Sequence, residues 1–370
     1  MSTCKAAVAH GANQPFTVED VVVTAPRAGE VLVRIAGVGL CHTDLVFRDQ
    51  FDAFAKPAVL GHEGSGVIEA IGEGVTGLAP GDRVILGFSS CGTCPRCAED
   101  LPSYCLQFVP MNYAGMRLDD GSTAYASRDG ARISSHFFGQ SSFATLAMTR
   151  ARNVVKVPET ALPLELLGPL GCGLMTGAGA VMKSMDCRAG SSIVVFGGGP
   201  VGLAAVMAAK VRECSAIILV EPVADRRAIG IELGATHAID PAAGDLGEAL
   251  RAILPLGVDF ALDTTGNVGV IETGLANLAP HGLIGLVGVP KDLGAAFSVN
   301  IAALMTPGLR IIGIIEGDAV PQKFIPELLA LHAAGQFPFD RLIHTYPLSQ
   351  INEAIAAQAR GDCIKVVLIP

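Results

Sequence analysis

The 370-residue sequence contains no tryptophan and little charge, and it lacks the patterns of several protein classes. Charged residues make up 16% of the chain against 50% hydrophobic residues, a balance that excludes extended disorder. The formal net charge is −9 and no cluster of lysine and arginine stands out, so no nucleic-acid partner is expected. The composition therefore predicts a folded globular protein whose mild acidity favours solubility.

Neither a secretion signal nor a membrane span is expected. The opening residues, MSTCKAAVAHGANQP, lack the apolar core of a signal peptide, which predicts a cytoplasmic protein. Two uncharged stretches, 166–182 and 193–209, are rich in glycine and at the lower length limit for crossing a bilayer, so no membrane partner is expected. In a reducing compartment the ten cysteines remain thiols, and those that cluster indicate metal ligands.

The chain changes texture along its length. Up to about Pro158, short β-like runs alternate with glycine-rich turns, and a long irregular loop spans 110–139. From about 171 to 315, strand-like and helix-like stretches alternate, which predicts a parallel, doubly wound sheet. The early strands are predicted at 31–35, 66–71 and Arg83–Leu86. Later strands are predicted at 193–196, Ala216–Val220, Val258–Asp263, 283–287, 310–315 and 364–369, and helices at 201–211, Ala224–Leu233 and 324–332.

Four cysteines lie close together in a lobe at 91–105, with the spacing C-x2-C-x2-C-x7-C. Four thiolates this close can complete a tetrahedral shell around one Zn²⁺, and a closed shell stabilises the fold without doing chemistry. Cysteine runs also hold iron–sulfur clusters, so iron is the alternative metal. The ligands are Cys91, Cys94, Cys97 and Cys105.

Three further segments each offer a candidate ligand among glycines: GVGLCHTD with Cys41, LGHEGSG with His62 and GPLGCG with Cys172. Glycine lets the backbone crowd closely around a metal. Alone, each cysteine is more often a small buried hydrophobic residue. As a set, two cysteines and one histidine leave a fourth position for water or substrate.

These motifs resemble the zinc-containing alcohol dehydrogenases of the medium-chain dehydrogenase/reductase family. GHEGSGVIEAIGEGVTGLAPGDRV is similar to the family's zinc signature, and the cysteine lobe follows it as in the family. The resemblance implies an α/β protein, with a doubly wound parallel (Rossmann) domain and a mainly β, GroES-like catalytic domain carrying the zinc lobe. It implies a catalytic domain at 1–171, a dinucleotide-binding domain at 172–315, a return to the catalytic domain at 316–370, and a homo-oligomer, either dimer or tetramer.

The resemblance also implies roles around a catalytic zinc held by the set of two cysteines and one histidine, giving two zinc ions per chain. Asp44 would hold the second nitrogen of its histidine ligand. Glu63 would lie behind the metal, and Thr43 would bind the substrate hydroxyl and begin a proton relay. Animal members of the family end that relay in a histidine at the position of Val46, so water is the first candidate for the final base and His42 the second.

A glycine motif, GGGPVG, fits the dinucleotide-binding pattern G-x-G-x-x-G between the predicted strand 193–196 and a predicted helix. Glu221 lies 19 positions after its last glycine, where an acid accepts hydrogen bonds from the adenosine ribose and repels a 2′-phosphate. This favours NAD over NADP, although Arg226 and Arg227 lie nearby. The cofactor-binding residues of the motif are Gly197, Gly199, Pro200, Val201 and Gly202.

Other cofactor and substrate contacts follow from the resemblance alone. His42 and Lys365 would contact the pyrophosphate, and Val287 and Val289 would meet the nicotinamide. The segments CHTDLVFRDQ, SHFFGQSSFA and ELLGPLGCG most resemble bacterial aryl-alcohol dehydrogenases of the benzyl alcohol type. The predicted pocket walls are Phe88, Phe137 and Phe138.

The predicted activity is therefore NAD-dependent oxidation of a primary aryl or allylic alcohol to its aldehyde. The alternative within the family is a dehydrogenase of aliphatic alcohols or glutathione adducts. More remote alternatives are a zinc-free quinone reductase, which would not need Cys41, His62 and Cys172, and a non-catalytic nucleotide-binding protein.

Overall fold

We analysed the protein as a computed structural model, which describes residues 2–51 and 54–370. The chain divides into two compact units. The first comprises Met1–Gly173, Ala319–Ala330 and Asp340–Pro370. The second comprises Leu174–Asp318 and Leu331–Phe339.

The regular elements are numbered here in chain order. The strands are β1 (Ser2–Ala9), β2 (Thr17–Val23), β3 (Glu30–Gly39), β4 (Ala58–Val59), β5 (Gly64–Ile71), β6 (Arg83–Leu86), β7 (Tyr125–Ala126), β8 (Arg132–Ile133), β9 (Leu146–Arg150), β10 (Val154–Lys156), β11 (Ser192–Phe196), β12 (Ala216–Val220), β13 (His237–Ile239), β14 (Val258–Asp263), β15 (Leu278–Leu286), β16 (Arg310–Gly313), β17 (Ile343–Pro347) and β18 (Lys365–Ile369). The helices are α1 (His42–Asp49), α2 (Pro95–Ala98), α3 (Phe108–Tyr113), α4 (Gly173–Gly179), α5 (Pro200–Val211), α6 (Ala224–Leu233), α7 (Leu246–Ile253), α8 (Val268–Ala276), α9 (Ile301–Met305), α10 (Pro321–Ala333) and α11 (Ile351–Arg360).

The first unit is mainly β and contains two sheets. One has the strand order β4-β1-β2-β7-β8, and the other has the order β10-β6-β5-β3-β18-β17 with β9 also paired to β3. Strand β3 is nearly all buried, because it pairs with β5, β9 and β18. The pairing of Val367 with Gly39 brings the C-terminal strand beside the start of the ligand segment at Cys41.

The second unit is a parallel sheet with helices between its strands. Within its stretch 174–318, which is described throughout, the strand order is β13-β12-β11-β14-β15-β16, and every pairing is parallel. Strands β11 and β12 are buried along their whole length, as expected for a sheet covered on both faces. The order reverses at β11, so the carboxyl ends of β11 and β14 flank the crevice where such folds bind nucleotides.

Local sequence signals explain several helix boundaries in this unit. Helix α5 begins with Pro200, which has no N–H to leave unpaired in the first turn. The Asp245 and Asn267 side chains accept hydrogen bonds from the first-turn N–H groups of α7 and α8. Helix α6 ends before Gly234, whose φ of +132° strains any other residue.

Most predicted elements are confirmed, with boundaries shifted by a few residues. Strand β15 starts earlier than expected and has a register shift against β14. The region 110–139 was predicted as an irregular loop, but it contains the end of α3 and the two short strands β7 and β8. The other strands that were not predicted are β1, β2, β4, β9, β10, β13 and β17.

Within 2–51 and 54–370, no single helix is both long and apolar enough to cross a membrane. The helical segments Leu164–Gly171 and Gly173–Ser184 meet that test only when taken as a pair. The stretch 193–209 forms strand β11, a turn and helix α5, as predicted.

Candidate active site

The first unit brings together the three candidate ligands, which lie between positions 41 and 172 of the sequence. Cys41 caps the N-terminus of α1, His62 lies between β4 and β5, and Cys172 follows a 3₁₀ turn at Gly168–Gly171. Their ligand atoms and a carboxylate oxygen of Glu63 all lie within 4.8 Å of one another. This is a compact set of soft and borderline donors of the kind that zinc takes.

Asp44 holds the imidazole of His62 in a defined orientation. Its Oδ1 lies 2.8 Å from Nδ1 of His62 and also accepts the N–H of Gly61 at 3.1 Å. Its Oδ2 accepts the N–H of Cys41 at 2.9 Å, so one buried carboxylate joins two ligand segments. A carboxylate only accepts, so Nδ1 carries a proton, and Nε2 is the nitrogen left for a partner inside the ligand set.

The Nε2 atom of His62 is the clearest sign that the site is built for a metal. It is buried and has no hydrogen bond of good geometry within the described residues. Such an atom normally has a partner, because an unsatisfied buried acceptor is costly. With the thiols of Cys41 and Cys172 beside it, a zinc ion fits this donor set.

Ionisation in this pocket favours the metal-binding form of Cys41. A hydrogen bond from the Cys172 thiol lowers its pKa, burial opposes this, and contact with His62 lowers it further, so the pKa lies well below the ordinary value. Burial acts to lower the pKa of His62, but the charge and hydrogen bond of Asp44 raise it well above its usual range.

Glu63 and Lys365 form a buried ion pair behind the ligands, with Nζ 2.5 Å from Oε2. Lys365 also donates to the carbonyl of Leu40 at 3.0 Å. A Cβ on Gly39 would lie 1.8 Å from the same Glu63 oxygen, so only glycine leaves room for the carboxylate. Lys365, which was predicted to contact the cofactor's pyrophosphate, is thus bound to Glu63 and Leu40 inside the first unit. Its contact with the pyrophosphate stays a prediction.

The predicted relay residues begin helix α1. The Thr43 hydroxyl lies 3.6 Å from the Cys41 sulfur, at the edge of the ligand set. His42 is exposed, whereas Val46 is buried and has no titratable group. The structure therefore leaves His42 accessible to solvent beside Thr43, and it provides no side-chain base at Val46.

The four lobe cysteines form a second compact set, with sulfur atoms within 4.8 Å of one another. The Cys91–Cys97 and Cys94–Cys105 sulfur pairs are each 3.9 Å apart. The backbone N–H of Thr93, followed by that of Cys94, lowers the pKa of Cys91 to about 5 despite an opposing desolvation effect. Burial raises the pKa of Cys97 and Cys105, so the thiolate character lies on the Cys91 side of the set. A closed set of four sulfurs fits a structural zinc.

The predicted pocket phenylalanines have three different environments. Phe138 stacks on His62 with ring centroids 4.4 Å apart and an interplanar angle of 22°. Phe137 is 0% exposed and packs edge-on against His62 and Phe54, which favours a core residue, and its role as a pocket wall stays a prediction. Phe88 lines a cavity of about 160 Å³ beside Cys97 of the lobe, and its role as a pocket wall stays a prediction.

The glycine motif of the second unit has the predicted geometry. Gly197 has a φ of +99°, and a Cβ on Gly202 would lie 1.8 Å from its carbonyl oxygen. By contrast, a Cβ on Gly199 would meet nothing within 4 Å, so the backbone there faces open space. A tight turn with an accessible second glycine, followed by helix α5, fits a pyrophosphate at the helix N-terminus.

Glu221 is buried at the end of β12 beside this turn. Its carboxylate accepts the N–H of Gly198 at 2.5 Å and that of Val223 at 2.8 Å. Arg227 donates to the carbonyls of Glu221 and Pro222 and pairs with Asp240 at 3.0 Å, so its guanidinium is engaged. Arg226 is half-buried, and its Nε finds no hydrogen bond within the described part of the chain.

The segment predicted to meet the nicotinamide follows β15. Val287 and Gly288 both donate to the carbonyl of Asp263, while Val289 is 38% exposed. The Asp263 carboxylate itself is buried and accepts the N–H groups of Thr265 and Gly266, which fixes the loop after β14. Sequence reasoning missed this role, and an acid ending a buried strand is the signal that could have indicated it.

The chain was compared with known families and structures. Residues 27–159 match the family described as alcohol dehydrogenase GroES-like domain, and residues 200–334 match zinc-binding dehydrogenase. A geraniol dehydrogenase from Castellaniella defragrans is 49% identical over 370 residues, covering 99% of this chain and 98% of the relative.

Two solved structures are also similar over the full chain. An alcohol dehydrogenase zinc-binding domain protein from Burkholderia ambifaria superposes with a TM-score of 0.96 at 49% identity, covering 100% of this chain and 99% of its own. A benzyl alcohol dehydrogenase from Acinetobacter calcoaceticus gives a TM-score of 0.95 at 41% identity, with the same coverage of both chains. The predicted fold class is confirmed, and the chain belongs to the zinc-binding alcohol dehydrogenases of the medium-chain dehydrogenase/reductase family.

Proposed function

We propose that this alcohol dehydrogenase oxidises a primary aryl or allylic alcohol to the aldehyde, with NAD as the hydride acceptor. Each chain would hold two zinc ions, one in the lobe at 91–105 and one at Cys41, His62 and Cys172. Catalytic chemistry would belong to 1–171 and 316–370, and cofactor binding to 172–315. The observation that carries the proposal is the unpaired Nε2 of His62 facing two thiols.

The bound groups supply the reactive chemistry: zinc is a Lewis acid that favours the alkoxide, and NAD⁺ accepts hydride. The protein positions and stabilises the reacting groups. Asp44 keeps His62 in the tautomer that presents Nε2. Thr43, beside the Cys41 sulfur, is the hydroxyl placed to receive the alcohol proton, which then passes to water or to exposed His42.

Two observations support the substrate class. Phe138 stacks on the His62 ring within an aromatic cluster that includes Phe108 and Tyr113, so the surroundings of the ligand set are apolar and aromatic. The similar proteins named for geraniol and benzyl alcohol act, by those names, on primary alcohols with unsaturation beside the carbinol carbon. Oxidation of such alcohols gives a conjugated aldehyde, which is a chemical advantage independent of the pocket.

The test is a panel of alcohol substrates assayed with NAD⁺, in which the absorbance of the reduced cofactor measures turnover. We expect kcat/KM for benzyl alcohol and geraniol to exceed that for ethanol by at least about 100-fold, because each methylene-sized contact contributes roughly 1–3 kcal/mol. Elemental analysis should give two zinc ions per chain. Preference for ethanol or for hydroxymethylglutathione would contradict the substrate assignment, and one zinc or mainly iron would contradict the metal assignment.

A further inference from the structure

The segment 136–142 has an unusual backbone and wraps around the loop that carries His62. His136, Phe138 and Ser141 all have positive φ, at 61°, 48° and 53°. Non-glycine residues rarely adopt this conformation, and where it persists the surrounding contacts hold it in place. Residues 137–142 are buried, so their polar groups must find hydrogen-bond partners within the protein rather than in solvent.

Gln140, at the centre of this segment, binds the backbone on both sides of His62. Its Nε2 donates to the carbonyl of His62 at 2.8 Å, and its Oε1 accepts the N–H of Gly64 at 3.1 Å. The hydroxyl of Ser142 donates to the same Oε1 at 2.9 Å, which fixes the orientation of the amide. The side chain is only 1% exposed, so these bonds have no competition from water.

The same amide also contacts the end of β6, on which the segment that carries Cys172 packs. Its Nε2 lies 3.4 Å from the carbonyl of Leu86, at the end of β6. A Cβ on Gly171 would lie 2.3 Å from that carbonyl, so the residue before Cys172 packs directly on it. One buried amide therefore binds the His62 loop directly and is linked to the Cys172 segment through the carbonyl of Leu86.

We propose that Gln140 is a positioning residue for the catalytic metal centre, fixing the backbone of the His62 loop against the end of β6. Asp44 fixes the imidazole through Nδ1, and Gln140 fixes the chain from which the imidazole extends. The proposal rests on zinc being held by Cys41, His62 and Cys172.

The experiment compares the zinc-loaded wild type with Gln140→Met, which keeps the side-chain length and removes the amide. The rate of zinc release to a chromogenic chelator is measured at a temperature where both proteins remain folded. The phase of release that belongs to the proposed catalytic site is the one missing in Cys172→Ala. We expect this phase to accelerate about 10- to 100-fold in Gln140→Met, the range seen when groups that orient metal ligands are removed. The lobe phase should not change, and the cobalt-substituted enzyme should show an altered visible spectrum.

Asn112→Leu is the matched control, because Asn112 is also a buried amide that binds backbone, donating to Ser89 and Phe108, but it does not contact the His62 loop. It should lower stability without changing the catalytic release phase or the cobalt spectrum. Ser142→Ala is the milder variant and should give an intermediate acceleration if Gln140→Met does not fold.

The outcomes separate the two proposals. A wild type that holds only lobe zinc refutes the proposed catalytic site itself. The role of Gln140 is refuted if the wild type holds two zinc ions and both Gln140→Met and Ser142→Ala release the catalytic-site zinc at rates within twofold of the wild-type rate. Equal acceleration in Asn112→Leu would also refute it, because general loss of stability would then explain the effect.

Discussion

Replacing Glu221 tests the cofactor assignment most directly. The carboxylate is 4% exposed and held by two backbone N–H groups, at 2.5 Å from Gly198 and 2.8 Å from Val223. It is therefore fixed in place beside the glycine turn and is not free to swing away from a bulkier cofactor. Of the two nearby arginines, Arg227 is engaged by backbone carbonyls and Asp240, which leaves Arg226 as the cation that could compete for a 2′-phosphate.

The expected preference follows from two contributions. A ribose hydroxyl that donates to a charged carboxylate gains about 1.5–3 kcal/mol, or roughly 10- to 150-fold in binding. A 2′-phosphate would bring at least one further negative charge against Glu221, at a cost of about 4 kcal/mol for two charges 4 Å apart in a medium of effective dielectric constant near 20. The ratio of kcat/KM for NAD⁺ over NADP⁺ should therefore be at least about 100.

The assay measures that ratio in wild type, Glu221→Gln and Glu221→Ser with a fixed alcohol. Glu221→Gln keeps the shape and removes the charge, so the ratio should fall at least about tenfold, mainly through a higher kcat/KM for NADP⁺. Glu221→Ser should lower the ratio further, because it also removes the acceptor for the ribose hydroxyl and so weakens NAD⁺ binding. Asp225→Asn, an exposed acid in the first turn of α6, is the control and should leave the ratio within about twofold. A wild-type ratio near or below one, or no change in Glu221→Gln, would refute the reasoning.

Further predictions concern metal content and stability. Cys97→Ser should lower both zinc content and melting temperature, whereas Cys172→Ser should abolish turnover and leave the fold largely intact, as checked by elemental analysis and calorimetry. Phe137→Ala should cost about 3–5 kcal/mol in urea unfolding, because the ring is wholly buried, and should reduce activity on benzyl alcohol and ethanol alike. Arg117→Met should cost about 3–5 kcal/mol by leaving the buried carboxylate of Glu30 unpaired. Burial acts to raise the pKa of Glu30, but hydrogen bonds, among them those of Arg117, hold it below its ordinary value. This stabilisation is present above about pH 4.3 and declines as pH falls below it, so wild type should lose more stability in acid than Arg117→Met does.

The sequence predicts the fold well where periodicity is strong. The runs that became β11, β12 and β14 are short and apolar, and helical patterns follow the first two, so both type and position were correct. Strands β7, β8 and β17 were not predicted, because short pairs depend on neighbours distant in sequence rather than on local pattern. Strand β17, for example, exists through its pairing with β18.

The site was predictable where chemistry restricts residue type, and less so where packing decides. The seven proposed metal ligands could be named because cysteine and histidine spacing carries the signal, and the structure gathers them into two sets. The pocket phenylalanines could not be sorted, since the same residue type suits both a core and a pocket wall. Gln140 carried no signal, because nothing in SHFFGQSSFA distinguishes a buried amide from a loop residue.

The charges around the two ligand sets explain why one is buried and the other lies at the surface. Ionised Cys41 and Cys172 balance one divalent ion, while Glu63 pairs with Lys365 and Asp44 is held by His62 and backbone N–H groups. Zinc with its two thiolates would thus be neutral, and the remaining charge of Asp44 is stabilised by hydrogen bonds, as burial in a low-dielectric pocket requires. Four thiolates around one divalent ion carry a net charge of −2, and that charge is tolerable only near water. Three of the four lobe cysteines are accordingly half-exposed. A neutral set of zinc and ligands would keep its affinity for an alkoxide, whereas an anionic set would repel it. The difference in burial and ligand charge therefore supports the proposal that one site serves catalysis and the other stability.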